Sequence, residues 1–467
     1  MNENILLFLL FAFGVIILYY LVKPAYRKYV LLFGSAVFYC VVSGWLFLLL
    51  MAETVYSYCA VKICAKRKHP NIIIPIIPII VILLFWKYNG FFAESIKSGL
   101  DLFGLETGIH TLNLVLPLGL SFYTFKIISF MADVCKRKIA IPKFTDYCTY
   151  ILCFTQIMSG PIQRADEFIV QIEKEVFCNK EMVMQGLYRI LLGLFKKLVV
   201  AARCTGYVGT IFENPQSYPV LSLWMAAFLF SIELYADFSG YSDIAIGLMQ
   251  IMGIRVKENF ATPYFSHNIK EFWERWHISL SSWLKDYIYI PLGGNRCSVF
   301  RQKLNVMITF LISGLWHGAG WNYVLWGAVH GVLNCLTPSK KSGASKGIKG
   351  VVATLLTYAC VNFAWIIFRA DSLENAFLYL KSMFGKPNLS FAGVSQMLLP
   401  FTGDNTCAVY AVVLFIFIAS LLAYDGICYY RKKEPGPKMS FIWQVFLVVA
   451  VILFGVVGQS GFIYAQY

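Results

Sequence analysis

Three stretches put ionisable or strongly polar side chains inside apolar sequence, and each sets a chemical requirement. The first is SGLWHGAGWN at residues 313–322, where His317 stands between Trp316 and Gly318 and is followed by Gly320 and Asn322. A neutral imidazole is the cheapest titratable group to bury and takes a proton near neutral pH. Those are the requirements of a general base in a low-dielectric site. The second is NIKEFWERWHISLSSWLK at residues 268–285. Asn268 with Glu271 forms a capping box, and Ile269, Phe272, Trp273, Trp276, Leu280, Trp283 and Leu284 recur at helical spacing. That pattern predicts one amphipathic helix at or just below a membrane interface, with His277 beside its apolar stripe. A plain interfacial anchor in which His277 only makes hydrogen bonds gives the same pattern. The third is YADFSGYSD at residues 235–243, where Asp237 and Asp243 flank Tyr241. Each carboxylate would cost about 2.5–3.5 kcal/mol at mid-membrane, so each requires a partner or a wet cavity. Helix–helix contact eased by Ser239, Gly240 and Ser242 is one reading, and a polar lining of an intramembrane path is the other.

Outside these stretches the chemical signals thin out. PLGGNR at residues 291–296 is a loop, and its Arg296 either binds an anionic group or anchors the chain at the membrane surface. No HExxH occurs, and His69, His110, His267 and His330 show no ligand spacing, so metal binding is disfavoured. Neither a phosphate-binding GxxxxGK[ST] loop nor a dinucleotide fingerprint follows a strand-like segment, which removes support for nucleotide hydrolysis and dinucleotide redox chemistry. The thirteen cysteines are scattered singly without a CxxC pair, against a disulfide framework or zinc site.

The elements that must position these residues are membrane helices. Apolar residues are 58% of the 467-residue chain and charged ones 14%, well below the roughly one quarter of soluble domains. With 17% aromatic residues as well, no soluble sphere could hide the apolar surface, so the solvent is lipid. The net charge of +15 comes from short basic clusters between apolar segments, such as Lys62, Lys66, Arg67 and Lys68. Topology explains that distribution, and nucleic acid is not needed to explain it. The opening apolar run from Ile5 to Val22 lacks a basic leader region and a cleavage site, and is expected to be a retained helix. Residues 29–61 are too long for one pass and are expected to break near Ser43 and Gly44. Residues 303–335 are expected to break at Gly318 and Gly320. A helix over 303–316 is about 21 Å long, which would set His317 at membrane depth. The basic loops put both termini outside and the loops 87–111 and 369–407 on the same, extracytoplasmic side. The whole chain, 1–467, is expected to form a single integral membrane domain.

Six stretches, in order, resemble the membrane-bound O-acyltransferase (MBOAT) family, in particular its bacterial alginate O-acetyltransferase-like branch. They are PLGLSFYTF (117–125), SGPIQR (159–164), YADFSGYSDIAIG (235–247), NF…PY (259–264), EFWERWHISLSSWLKDYIYIPLGGNR (271–296) and SGLWHGAGWNYVLWGAVHG (313–331). They cover roughly residues 110–335, with flanking helices over 1–109 and 336–467 similar in hydropathy only. The resemblance implies an all-α, polytopic, multi-helix bundle with re-entrant and interfacial helices around a central funnel. It maps the family's invariant histidine to His317 and its tunnel-lining histidine to His277. Trp316, Asn322, Asp237, Tyr241, Trp273, Trp276 and Arg296 are then expected on the donor side or along the tunnel. The donor implied is a cytoplasmic thioester, acetyl-CoA or an acyl carrier, with no bound cofactor. The PLGGNR and WHGAGWN forms look like the acetylating branch. An extracytoplasmic partner of the SGNH-hydrolase type would complete transfer to a cell-surface polysaccharide at the plasma membrane. The ending GFIYAQY resembles the family's aromatic tail, and makes Tyr464 either an acyl relay or part of an interfacial aromatic belt.

The expected function is therefore acetyl transfer across the membrane with His317 as general base. D-alanyl transfer to teichoic acid from a carrier protein is the alternative within enzymes. A proton-coupled transporter using Asp237, Asp243, His277 and His317 is the alternative from another class, although the sequence shows no inverted repeat to support it. A scaffold without chemistry would tolerate substitution of both histidines.

Overall fold

The computed structural model describes residues 5–68, 71–105, 108, 111–112, 114–174, 178–338, 347–401, 407–431 and 440–457. Among them no strand forms, and the helices account for the architecture. The chain divides into two compact units. One comprises Met1–Met184 with Leu248–Lys257, the other Gln185–Gly247 with Glu258–Tyr467. Among the described residues, six helical segments are long and apolar enough to cross a bilayer: Pro24–Ser43, Leu46–Ala65, Ile73–Asp101, Val220–Ile251, Ile348–Arg369 and Cys407–Arg431. The chain is an all-α polytopic membrane protein.

The first unit contains α1 (Ile5–Leu21), α2 (Arg27–Ser43), α3 (Leu46–Ala65), α4 (Ile73–Asp101), α5 (Leu120–Cys135), α6 (Phe144–Leu152), α7 (Phe154–Ile157) and α8 (Ala165–Glu173). The expected break between α2 and α3 is present. Gly44 ends α2 with φ 57° and ψ −127°, a conformation that glycine adopts without steric cost. Phe8, Phe38 and Phe154 pack α1, α2 and α7 together, with ring centroids 5.8–6.1 Å apart. The expected loop at 87–111 is shorter than the hydropathy pattern suggested, because α4 continues as helix to Asp101. Apolarity fades after Trp86, but no proline or paired glycine interrupts the chain there, so the backbone hydrogen bonding simply runs on.

The second unit begins within α9 (Lys180–Leu194). A π-helical turn over Phe195–Ala201 and α10 (Ala202–Glu213) follow, then the 32-residue α11 (Val220–Ile251). Next come the short helices α12 (Ile269–Arg275) and α13 (Ile278–Leu284), and the hairpin of α14 (Val299–His317) with α15 (Trp321–Leu336). The remaining helices are α16 (Ile348–Arg369), α17 (Leu373–Met383), α18 (Phe391–Leu398), α19 (Cys407–Arg431) and α20 (Phe441–Phe454).

Two expectations change in this unit. The amphipathic stretch is two helices, not one. Arg275 ends α12, and His277 enters α13 with φ 43° and ψ 54°, a left-handed backbone that a histidine adopts only when its surroundings hold it there. His277 is therefore fully buried at a corner and does not lie beside a stripe. The capping box at Asn268 is present: its Oδ1 accepts from the Glu271 N–H at 3.0 Å, while the Glu271 carboxylate accepts from the His267 N–H at 2.9 Å. The hairpin does break at Gly318 and Gly320, but α14 starts at Val299 and spans about 28 Å at 1.5 Å per residue. That length nearly matches a ~30 Å hydrocarbon core, so length alone does not bury the break. Packing does, since Trp316, His317 and Asn322 are all buried. α14 and α15 approach closely because Gly314 and Gly327 face each other across the hairpin. A β-carbon at Gly314 would collide with the Tyr323 carbonyl, and one at Gly327 with the Phe310 carbonyl.

Candidate active site

The His277 corner is built from three pieces of the second unit. The segment after α11 runs antiparallel to the α12–α13 junction. The Ala261 N–H donates to the Arg275 carbonyl at 2.9 Å, and the Ile278 N–H donates to the Asn259 carbonyl at 2.9 Å. Asn259 also uses its side chain. Its Oδ1 lies 3.2 Å from His277 Nδ1 and accepts from the Ser279 N–H at 3.2 Å and the Ser279 hydroxyl at 2.8 Å. Its Nδ2 donates to the Ser242 hydroxyl on α11 at 3.2 Å. The imidazole sits edge-on to Phe238, 4.7 Å away, and 6.0 Å from Trp316. Burial among these uncharged groups pushes the His277 pKa down to about 3, so the ring is neutral at physiological pH.

His317 ends α14 inside an aromatic box. Its ring lies 4.9 Å from Trp316, 5.0 Å from Trp326 and 5.4 Å from Phe368. Trp316 thus packs against both histidines, His277 from the corner between α12 and α13 and His317 from the end of α14. On the far side of Trp326, at 4.9 Å, lies His330 of α15, fully buried and also 5.0 Å from Trp273. Neither ring nitrogen of His330 has a hydrogen-bond partner among the described residues. Asn322 is buried beside the break and donates from Nδ2 to the Ala370 carbonyl at 2.8 Å, tying the start of α15 to the end of α16.

A cavity of about 440 Å³ opens between α12, α13, α14 and α15. Its walls include Trp273, Phe310 and Ser313, the last one helical turn before His317. Three lysines, Lys270, Lys285 and Lys303, line it against one carboxylate, Glu274. Lys270 Nζ also donates to the Thr337 carbonyl at 2.7 Å. The wall thus combines apolar side chains such as Trp273 and Phe310 with neutral polar ones and an excess of positive charge.

Asp237 and Asp243 of α11 are ion-paired. Asp243 accepts from Arg189 Nε at 2.6 Å and from Lys196 Nζ at 2.8 Å, and Asp237 pairs with Lys197. Arg189 also holds Glu258, the residue before Asn259, at 2.7 Å. Tyr235 donates to Asp425 of α19 at 2.7 Å. The two consecutive lysines lie in the π-helical turn and pair with carboxylates six residues apart on α11, and Gly193 and Gly240 let α9 and α11 approach closely enough for the pairs to form. This is the helix–helix reading of the aspartates, made with charges.

The sequence profile of the MBOAT, membrane-bound O-acyltransferase family matches residues 131–340. The chain is 35% identical over 395 residues to the probable alginate O-acetylase AlgI of Pseudomonas aeruginosa, covering 82% of this chain and 74% of that protein. It is 34% identical over 416 residues to the peptidoglycan O-acetyltransferase of Helicobacter pylori, covering 81% and 77%. The chain belongs to the membrane-bound O-acyltransferase family. A more distant relative is the teichoic acid D-alanyltransferase of Bacillus subtilis, 29% identical over 279 residues and covering 55% of this chain and 69% of that one. The similarity thus extends well beyond residues 110–335 into flanks that had seemed alike in hydropathy alone. The chain is an acyltransferase.

Within this acyltransferase the sequence-selected residues separate into groups. His277, His317 and Trp316 come together, with Trp276 packed 5.0 Å from both Phe260 and Trp365 in the adjoining aromatic layer. Trp273 lines the cavity. Asp237 is in the ion-pair network, and Tyr241 is buried on the same helix. Arg296 is exposed in the turn after α13, outside the cavity wall. Tyr464 lies outside the described residues. Sequence reasoning missed Asn259, His330 and the cations Arg189, Lys196 and Lys197. The cations carried a usable signal, since three positive charges in an apolar stretch demand carboxylates from another one.

Proposed function

We propose that this acyltransferase moves an acetyl group from cytoplasmic acetyl-CoA to a hydroxyl at the outer face of the plasma membrane, for O-acetylation of an extracytoplasmic polysaccharide. The observation that carries the reading is the nearness of the lysine-lined cavity to the histidine box along one helix: Ser313 belongs to the cavity wall, and His317 follows it by one turn of α14. The lysines suit the phosphates of a nucleotide thioester, and the apolar wall at Trp273 and Phe310 suits its neutral arm. His317 removes the proton from the acceptor hydroxyl as the oxygen attacks the thioester carbonyl. The carbon–sulfur bond then breaks, and the thiolate leaves with the proton that His317 had taken. His277 orients the reacting groups from the other side of Trp316. The acceptor is Tyr464 or a hydroxyl on an SGNH-hydrolase-type partner, with both termini extracytoplasmic. Acetyl is favoured over D-alanyl because the relatives named as O-acetylating enzymes match at higher identity and over more of the chain than the D-alanyltransferase.

The test supplies acetyl-labelled CoA to inside-out membrane vesicles carrying wild type or His317→Ala. Label should reach a lumenal acceptor in wild type only. Equal labelling by the variant would remove His317 from the mechanism, and labelling from a D-alanyl carrier but not from CoA would replace the donor.

A further inference from the structure

We infer that Asn259 is a positioning residue that fixes the tautomer of His277, holding the ring proton on Nδ1 so that Nε2 carries the lone pair. The inference rests on the reading of His277 as part of the transfer site, but its structural half stands on hydrogen-bond geometry alone. The orientation of the Asn259 amide is decided by a group that can only donate. The backbone N–H of Ser279 points at it from 3.2 Å, so the atom facing that N–H is the oxygen. The amide nitrogen accordingly faces the Ser242 hydroxyl on α11, which can accept. The same oxygen lies 3.2 Å from His277 Nδ1. An amide oxygen only accepts, so Nδ1 must be the N–H, and in a neutral imidazole the lone pair then resides on Nε2. The Ser279 hydroxyl, 3.5 Å from Nδ1, does not reverse this, because it donates to Asn259 Oδ1 at 2.8 Å.

Asn259 is itself held firmly enough to impose the choice. Glu258 before it is clamped by Arg189, which is also bound to Asp243. The Asn259 carbonyl accepts from the Ile278 N–H, directly after the left-handed His277 backbone. The asparagine therefore supports both the strained corner and the ring that projects from it. A histidine whose Nε2 bears the lone pair accepts a proton or hydrogen bond from the acceptor hydroxyl or a bound water. It cannot act as a neutral N–H donor to an oxyanion from that atom. The geometry thus assigns His277 the accepting role on the Trp316 side of the site, and leaves oxyanion stabilisation to other N–H groups.

The experiment is ¹⁵N solid-state NMR of the full-length protein in lipid vesicles, labelled at histidine, with His277 assigned by difference from His277→Asn. Wild type should give a neutral ring protonated at Nδ1. Asn259→Ala should shift the ring toward the Nε2–H form and lower acetyl transfer by about 10–100-fold, as loss of an orienting partner does at other histidine sites. Asn259→Asp retains an acceptor oxygen and covers the case in which the alanine variant does not fold. It should keep the Nδ1 proton and, by placing a carboxylate against it, move the acidic limb of the pH–rate profile upward. A purely structural asparagine would move neither the tautomer nor that limb. An Nε2–H ring in wild type, or an unchanged tautomer in Asn259→Ala, overturns the assignment. Wild type that transfers no acetyl group while keeping the Nδ1 proton sinks the transfer reading and leaves the tautomer assignment standing.

Discussion

At the scale of single residues, His317 and His277 both pack against Trp316 but sit in different surroundings. His317 closes a long helix and is buried against three aromatic rings. On the proposed general-base role, His317→Ala should lower transfer by about 10²–10⁴-fold while the protein stays folded and inserted, with at most a modest fall in unfolding temperature from the space the ring leaves. His277 adds a pH dependence to stability. Its folded pKa, about 3, lies below the ordinary value of 6.5, so the unfolded chain binds a proton that the folded one refuses. Its contribution is fully present above pH 6.5 and is lost as pH falls from there toward 3, at up to about 1.4 kcal/mol per pH unit. Unfolding temperatures measured between pH 7 and pH 4 should fall more steeply for wild type than for His277→Asn. Parallel curves would show that the ring is not held neutral. The sequence marks His317 by its tryptophans and glycines, and His277 by the tryptophan-rich stripe beside it. It includes Asn259 in the NF…PY stretch but gives it no role, because an asparagine in a loop signals nothing until its side-chain oxygen is seen against a ring nitrogen.

At the scale of elements, the site depends on helices that stop and helices that touch. Gly314 and Gly327 set the spacing of α14 and α15, and neither can take a β-carbon without meeting a backbone carbonyl. Gly314→Leu or Gly327→Leu should destabilise the protein by about 1–3 kcal/mol or more through overpacking and displace His317. Gly209→Ala on α10, with open space around it, serves as the control and should leave activity unchanged without lowering the unfolding temperature. The α9–α11 contact is governed by charge. Asp243→Asn removes the carboxylate shared by Arg189 and Lys196 and should cost about 3–5 kcal/mol, because it strands buried cations. The double change Lys197→Met with Asp237→Asn should be milder than the sum of its two single changes, which a double-mutant cycle of unfolding would measure. The apolar periodicity located these helices. It stops α4 near Trp86, well short of its end at Asp101, and fuses α12 with α13, because periodicity reports which face is buried and not where the backbone turns.

At the scale of the whole molecule, the basic excess has two uses that composition cannot separate. Part of it decorates the loops, and part lines the cavity as Lys270, Lys285 and Lys303. If those lysines receive the phosphates of the donor, Lys285→Gln with Lys303→Gln should raise KM for acetyl-CoA severalfold at low salt and leave kcat near wild type. The difference should shrink as ionic strength rises, since screening weakens wild type more than the variant. An unchanged KM would separate the cavity from donor binding.

Composition alone fixed the solvent, since a chain this apolar and this poor in charge has to place its helices in lipid. The order and content of six stretches were enough to point to the family and to its two histidines. What only the tertiary structure decided is which groups meet: the cations of α9 and its π-helical turn with the aspartates of α11, the aromatic box that joins His317 to His330, and the Asn259 amide against His277. The charge pairs and the Asn259–His277 contact join residues 18 to 54 apart along the chain, so no local propensity encodes them. They form because buried charge and buried hydrogen-bonding groups must find partners in a medium without water, and only the packed helices determine which partners are within reach.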